Sequence, residues 1–176
     1  MSRRQKASTF LKECMADALI GRMTEKAFSD ITINEIADAA GVNRSTWFRH
    51  FRTKSEALTY KIVQLWRRFG EGRGILGRER NSLDYPEVFF HFAYENRAVF
   101  EQILSSGQPA AIYQAFYEIM MPQFEADAAE CYQSRFLSYG LFGLLGEWIK
   151  RNYAETPDEM VVLFHRFLRQ TDPDEA

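Results

Sequence analysis

Arg44, Arg49, His50 and Lys54 crowd four hydrogen-bonding heads into one short stretch, interleaved with Ser45, Thr46 and Phe48. Nothing beside them makes or breaks covalent bonds. The three histidines, His50, His91 and His165, are scattered, and no pair stands at helical metal spacing. There is no CxxC, no serine elbow and no dinucleotide fingerprint. GEGRGILGRER, Gly70 to Arg80, has four glycines but lacks the Gly-Lys-Ser/Thr ending of a phosphate cradle. An enzyme, a metal site and a cofactor are therefore not expected. What remains is non-covalent: an arginine fork suits guanine O6 and N7, lysine suits phosphate, and a phenyl ring suits sugar or a thymine methyl.

These side chains need a rigid element to aim them, and the flanking residues supply one. Thr32-Ile33-Asn34-Glu35 is a capping box that starts a helix at Ile33. Gly41 ends that helix, where a left-handed residue is easiest for glycine. Asn43 caps a second helix from about Arg44 to His50. Trp47 and Phe51 share its buried face, leaving Arg44, Ser45, Thr46, Phe48 and Arg49 for other faces. Thr53-Lys54-Ser55-Glu56 is a second capping box and opens a long helix. Two short helices around a glycine turn suit a recognition helix in a DNA major groove.

The charge supports this once the chain is divided. Residues 1–80 hold 16 Lys/Arg against 9 Asp/Glu, a formal +7, and residues 81–176 hold 6 against 15, a formal −9. The sum is the overall −2. The basic half attracts phosphate and the acidic half limits indiscriminate sticking. The 176 residues make one or two domains with a core that needs no disulfide. Cys14 and Cys131 are unpatterned, and no long apolar run follows the basic start. The expectation is a cytoplasmic protein with no membrane span.

The stretch from Phe28 to Leu58 resembles the TetR family of bacterial transcription regulators. The resemblance is carried by Phe28, Ile31-Thr32-Ile33, Glu35-Ile36-Ala37, Ala40-Gly41-Val42, Ser45 to Phe51, and Lys54 with Glu56-Ala57-Leu58. It covers roughly residues 8 to 60. It implies an all-α homodimer of nine or ten helices with a DNA-binding head and an effector-binding body. The implied DNA-facing set is Asn34, Asn43, Arg44, Ser45, Thr46, Phe48, Arg49, His50 and Lys54. The family commonly has tyrosine at Phe48, so a phosphate hydrogen bond from that hydroxyl is lost here. Residues 1–54 are read as the helix-turn-helix domain, 55–80 as a connecting helix and joint, and 81–176 as the effector-binding and dimerisation domain.

The remaining helices follow from their punctuation. The first should span Lys6 to Lys26, with Phe10, Leu11, Cys14, Ala18 and Met23 on one stripe. Asp84-Tyr85-Pro86-Glu87, Asn96, Pro109, Pro122 and Thr156-Pro157 mark later starts. The body is rich in aromatics. Such a stripe is most often core, but so many rings, several with hydroxyls, can also line an apolar pocket. The pocket candidates are Phe89, Phe92, Tyr113, Phe116, Tyr117, Met120, Phe136 and Tyr139. Tyr139 to Phe164 resembles the C-terminal part of one group of small TetR relatives, where two helices per protomer form a four-helix dimer interface. Its candidate contacts are Leu141, Leu144, Leu145, Trp148, Met160, Leu163, Phe164 and Phe167, with Gly140, Gly143 and Gly146 allowing close approach. The reading is a ligand-responsive regulator, a repressor released from a palindromic operator by a hydrophobic small molecule. The alternative is a coactivator-like relative acting through a partner protein.

Overall fold

The expected caps at Thr32, Asn43, Thr53 and Thr156 each accept from the first turn of a helix. The computed structural model describes residues 2–73, 85–120 and 127–170, and they form nine α-helices with no strand. These are α1 (Arg3–Met23), α2 (Ile33–Ala39), α3 (Arg44–His50), α4 (Lys54–Gly72), α5 (Tyr85–Glu95), α6 (Arg97–Ser105), α7 (Pro109–Met120), α8 (Ala128–Lys150) and α9 (Pro157–Gln170). A single 3₁₀ turn, Phe28–Asp30, precedes α2. The joint beyond Arg73, the expected helix start at Pro122 and the acidic tail lie outside the described residues.

Two starts differ from expectation for a physical reason. α1 begins three residues early because Ser2 and Gln5 form a capping box: Gln5 N donates to Ser2 Oγ at 3.2 Å and Ser2 N to Gln5 Oε1 at 2.7 Å. α8 starts at Ala128 because Asp127 and Glu130 cap each other reciprocally. The stripe of α1 is also displaced. Met15, Ala16 and Leu19 are its buried residues, whereas Phe10 is exposed.

The chain divides into two compact units. The first comprises Met1–Arg68 with Ala98–Ile119. Its core joins Met15 and Leu19 of α1, Ile36 of α2, Trp47 of α3, Leu58 and Ile62 of α4, and Phe100, Ile103, Ile112 and Phe116 of α6 and α7. Three polar ties hold the α6–α7 segment to α1 and α4. Gln102 Nε2 donates to the Ile20 carbonyl at 3.0 Å, Ser55 Oγ to Gln108 Oε1 at 2.7 Å, and Thr59 Oγ1 to the Ala111 carbonyl at 3.1 Å.

The second unit comprises Phe69–Arg97 with Met120–Ala176. Here α5 packs on α9, and edge-to-face rings build the core: Phe69 on Phe92, Phe90 on Trp148 and Phe90 on Phe164. The α8–α9 corner places Asn152 and Tyr153 at positive φ, 55° and 53°. Left-handed tyrosine is strained by about 1–3 kcal/mol. The Tyr153 ring is held 5.1 Å from Trp148 and 5.8 Å from Tyr94, and Trp148 Nε1 donates to the Glu155 carbonyl at 2.9 Å.

Candidate nucleic-acid interface

The head presents α3 because its opposite face is anchored. Trp47 is fully buried and its ring lies 5.2 Å from Phe51. Gly41, at φ 67°, turns the chain between α2 and α3, and Val42 N closes the turn on the Ala37 carbonyl at 2.9 Å. Ahead of α2, Thr32 N donates to Glu35 Oε2 at 2.8 Å, and Lys26 pairs with the same carboxylate. The Lys26 hydrogen bond, with those from Thr32, holds the Glu35 pKa down at about 2.

The expected DNA-facing residues fall into two groups. Arg44, Phe48 and Arg49 are exposed, as is Asn34. The Arg44 guanidinium stands 5.3 Å from the centre of the Phe48 ring. Asn43, Ser45 and Thr46 are instead knotted around the start of α3. Asn43 Oδ1 accepts from Thr46 N at 3.1 Å, Thr46 Oγ1 at 3.0 Å and Ser45 Oγ at 2.6 Å. Thr46 is only 6% exposed, and its hydroxyl also accepts from Arg49 Nη2 at 2.9 Å. Burial thus takes Thr46 out of direct reach of a groove, and it positions Arg49 and the cap.

Lys54 is engaged within the chain itself. Its Nζ donates to the carbonyls of Phe28 and Ile31, the latter at 2.8 Å, and sits 4.4 Å over the Phe28 ring. These carbonyls belong to the turn before α2, where no helix supplies donors. Burial holds the Lys54 pKa below the ordinary lysine value. His50 is half-buried, and its pKa is lowered by burial and then by Lys12 and Arg49. Neither the carbonyl clamp nor the hydroxyl knot has a sequence signature, because both depend on contacts across turns.

The body residues sort differently from their expected roles. Phe89, Phe92 and Phe116 are packed, Tyr113, Tyr117 and Met120 are half-buried, and Phe136 and Tyr139 are 69% and 57% exposed. Phe89 and Phe92 belong to the second unit, Tyr113, Phe116 and Tyr117 to the first. A groove of about 450 Å³ in the second unit is lined instead by apolar Phe69, Val88, Val161 and Val162 and by polar Arg73, His91 and Asp158. His91 Nε2 lies 3.0 Å from Asp158 Oδ1.

Of the expected dimer contacts, Leu141, Leu145, Trp148, Met160 and Phe164 are buried inside the single chain. Leu144 and Leu163 are half-buried and Phe167 is exposed. The apolar side chains that α8 does expose are Tyr132, Phe136 and Tyr139. They share a face with Gly140 and Gly143. Helical spacing identified the apolar residues but could not say which face was already covered. Among the described residues no group of His, Cys, Asp and Glu is set to hold a metal, and no helix is long and apolar enough to cross a membrane.

Residues 17–58 match the family model for bacterial regulatory proteins of the tetR family, and residues 80–170 match that for a transcriptional regulator C-terminal region. The chain is similar to the crystal structure of a TetR transcriptional regulator from Rhodococcus sp. RHA1, with 18% identity, a TM-score of 0.58, and 98% of this chain and 100% of that one covered. At that identity the likeness is one of fold. The fatty acid degradation regulator FadR from Bacillus halodurans has 16% identity and a TM-score of 0.45 over 89% of this chain and 93% of its own, and that likeness carries no argument. No curated protein sequence matches the chain.

Proposed function

The chain belongs to the TetR family of bacterial transcription regulators, and on that premise we propose that it is a homodimeric repressor, binding a palindromic operator and released by a hydrophobic small molecule. The observation that carries the reading is α3. Arg44, Phe48 and Arg49 stand exposed on a helix whose other side is locked by Trp47 and capped by Asn43. A rigid helix with outward guanidinium groups is what base-edge readout requires.

The dimer rests on the exposed face of α8. Tyr132, Phe136 and Tyr139 are large apolar groups in solvent, and Gly140 and Gly143 beside them have no contact within 4 Å of an added Cβ. Exposed apolar patches mark interaction sites. Two copies joined there set two recognition helices against a two-fold operator, with half-sites about 34–36 Å apart or a multiple of that. The effector enters the aromatic body. The groove lined by Phe69, Val88 and Val161, with Arg73 and His91 as polar handles, suits an apolar ligand bearing one polar end.

Selection of bound duplexes from a random pool, followed by footprinting and light scattering of the complex, tests the reading. A palindrome bound by two copies is the expected result. Arg44→Ala should weaken the selected site by about 1–3 kcal/mol and relax one base position per half-site. Lys54→Ala should weaken all sequences alike and lower the melting temperature, because the carbonyl clamp goes with it. A monomer that selects no duplex would overturn the repressor reading and favour regulation through a partner protein.

A further inference from the structure

Phe48 and Arg44 stand four residues apart, on one face of α3, with the guanidinium 5.3 Å from the ring centre. The ring is 54% exposed in a head whose other large aromatic on α3, Trp47, is fully buried. Among the described residues no carboxylate pairs with Arg44, whereas Arg49 is tethered through Nη2 to Thr46 Oγ1 at 2.9 Å. The two arginines of α3 are therefore held in different ways. Arg49 is fixed by a hydrogen bond to its own helix. Arg44 is fixed by stacking, which leaves its fork of donors unsatisfied and its position restricted.

We infer that Arg44 and Phe48 act as one reading unit for a guanine–thymine step in each half-site, with the Arg44 fork on guanine O6 and N7 and the Phe48 ring against the 5-methyl group of the thymine in the neighbouring base pair. This rests on the DNA-binding reading above and adds the operator element it recognises. Three physical points support it. Phenylalanine has no hydroxyl, so it has no hydrogen bond to give a phosphate. Thymine's methyl is the apolar group that base edges offer in the major groove. The guanidinium and the ring centre stand 5.3 Å apart, close enough for the two groups to reach neighbouring base pairs stacked about 3.4 Å apart. The ring also excludes water from one side of the guanidinium, strengthening its hydrogen bonds to the base.

The test uses the full-length protein and an operator selected by it from random duplexes. Each thymine next to a guanine is replaced in turn by deoxyuridine, which removes only the methyl, and each such guanine by 7-deazaguanine, which removes N7. One thymine per half-site should show a loss of about three- to fivefold on demethylation, the scale of one buried methyl. The adjacent guanine should show a loss of about tenfold or more on loss of N7. Phe48→Ala should bind the thymine and deoxyuridine operators equally, and so should Phe48→Ser, which keeps the position small and polar. Because the residue is exposed, both variants should melt within a few degrees of the parent. Wild-type protein that binds its operator tightly but ignores every such demethylation would overturn the inference and leave the repressor reading intact. Equal demethylation losses in wild type and Phe48→Ala would overturn it too, since another group would then be reading the methyl. Failure to select any duplex would instead remove the reading on which the inference rests.

Discussion

His50 ends α3, at the position proposed to meet the sugar–phosphate backbone, and its environment sets how it would work there. Burial, Lys12 and Arg49 hold its pKa below 6.5 in the free protein. The imidazole is therefore neutral at pH 7 and protonates only at more acid pH. A phosphate placed beside it favours the charged form, so the complex holds more protons than the free protein. Affinity for the operator should accordingly rise as pH falls from about 6.5, and the folded free protein should lose stability over the same window, because its unfolded chain binds the proton more readily. Titrations at constant salt between pH 8 and pH 5.5 should show that rise for the wild type and a flat profile for His50→Gln; a rise that persists in the variant would assign it elsewhere. Residue type also explains the division of labour in α3. Long side chains, Arg44 and Arg49, reach outward, while the short hydroxyls of Ser45 and Thr46 find the nearer acceptor, Asn43 Oδ1.

α8 is the element whose sequence is least explained by its own chain. Glycine inside a helix is less favourable than alanine by about 1 kcal/mol. Gly140 and Gly143 are exposed, and a Cβ added at either meets nothing within 4 Å. The single chain therefore gives no reason for them, whereas close approach of a second backbone in the proposed dimer would. Gly140→Ala and Gly143→Ala should each stabilise the isolated chain slightly. The pair together should shift the monomer–dimer equilibrium towards monomer by roughly tenfold or more, a steric effect of the kind overpacking produces. Sedimentation equilibrium over a range of protein concentrations reads this directly. Unchanged dimerisation in the double variant would move the interface off this face of α8. The caps belong to the same scale. Thr32, Asn43, Thr53 and Asp127 each satisfy orphan N–H groups of the helix that follows. At α4 the expected box is shifted: Thr53 Oγ1 accepts from Glu56 N, but Glu56 Oε2 accepts from Arg52 N at 2.7 Å rather than from the cap itself.

For the whole molecule, the segregation of charge decides how it meets DNA. Residues 1–80 carry a formal +7 and residues 81–176 a formal −9. Exposed Arg3, Arg4, Lys6, Arg44, Arg49 and Arg52 supply the positive surface of the head. If a dimer neutralises about eight phosphates, log K should fall with log salt at a slope near −7. Fluorescence titrations at several salt concentrations test this, and a flat response on the best operator would exclude phosphate neutralisation as the main source of affinity. In the described residues the chain passes between the two units three times: inside α4 at Arg68–Phe69, at the start of α6 at Arg97–Ala98, and at the end of α7 at Ile119–Met120. An effector can shift the operator equilibrium only by its differential affinity for two states, and the effect on each ligand is reciprocal.

The family, the all-α class and the outlines of α2, α3 and α9 are legible in the chain because each is set by local chemistry. A threonine or asparagine cap, a glycine free to take φ 67° and a Trp47–Phe51 spacing act over a few residues. Tertiary structure decided what depends on distant partners. It turned Thr46 inward to the Asn43 cap and bound Lys54 to carbonyls of the turn before α2. It tied the α6–α7 segment to α1 and α4 through Gln102, Gln108 and Ala111. It also chose which apolar faces are filled. Leu141, Leu145 and Trp148 lie on one face of α8 and Phe136 and Tyr139 on another, and the first three are buried against their own chain while the last two stand in solvent. Periodicity reports that a helix has an apolar face. Only the neighbours that α8 meets in three dimensions determine how much of it is covered.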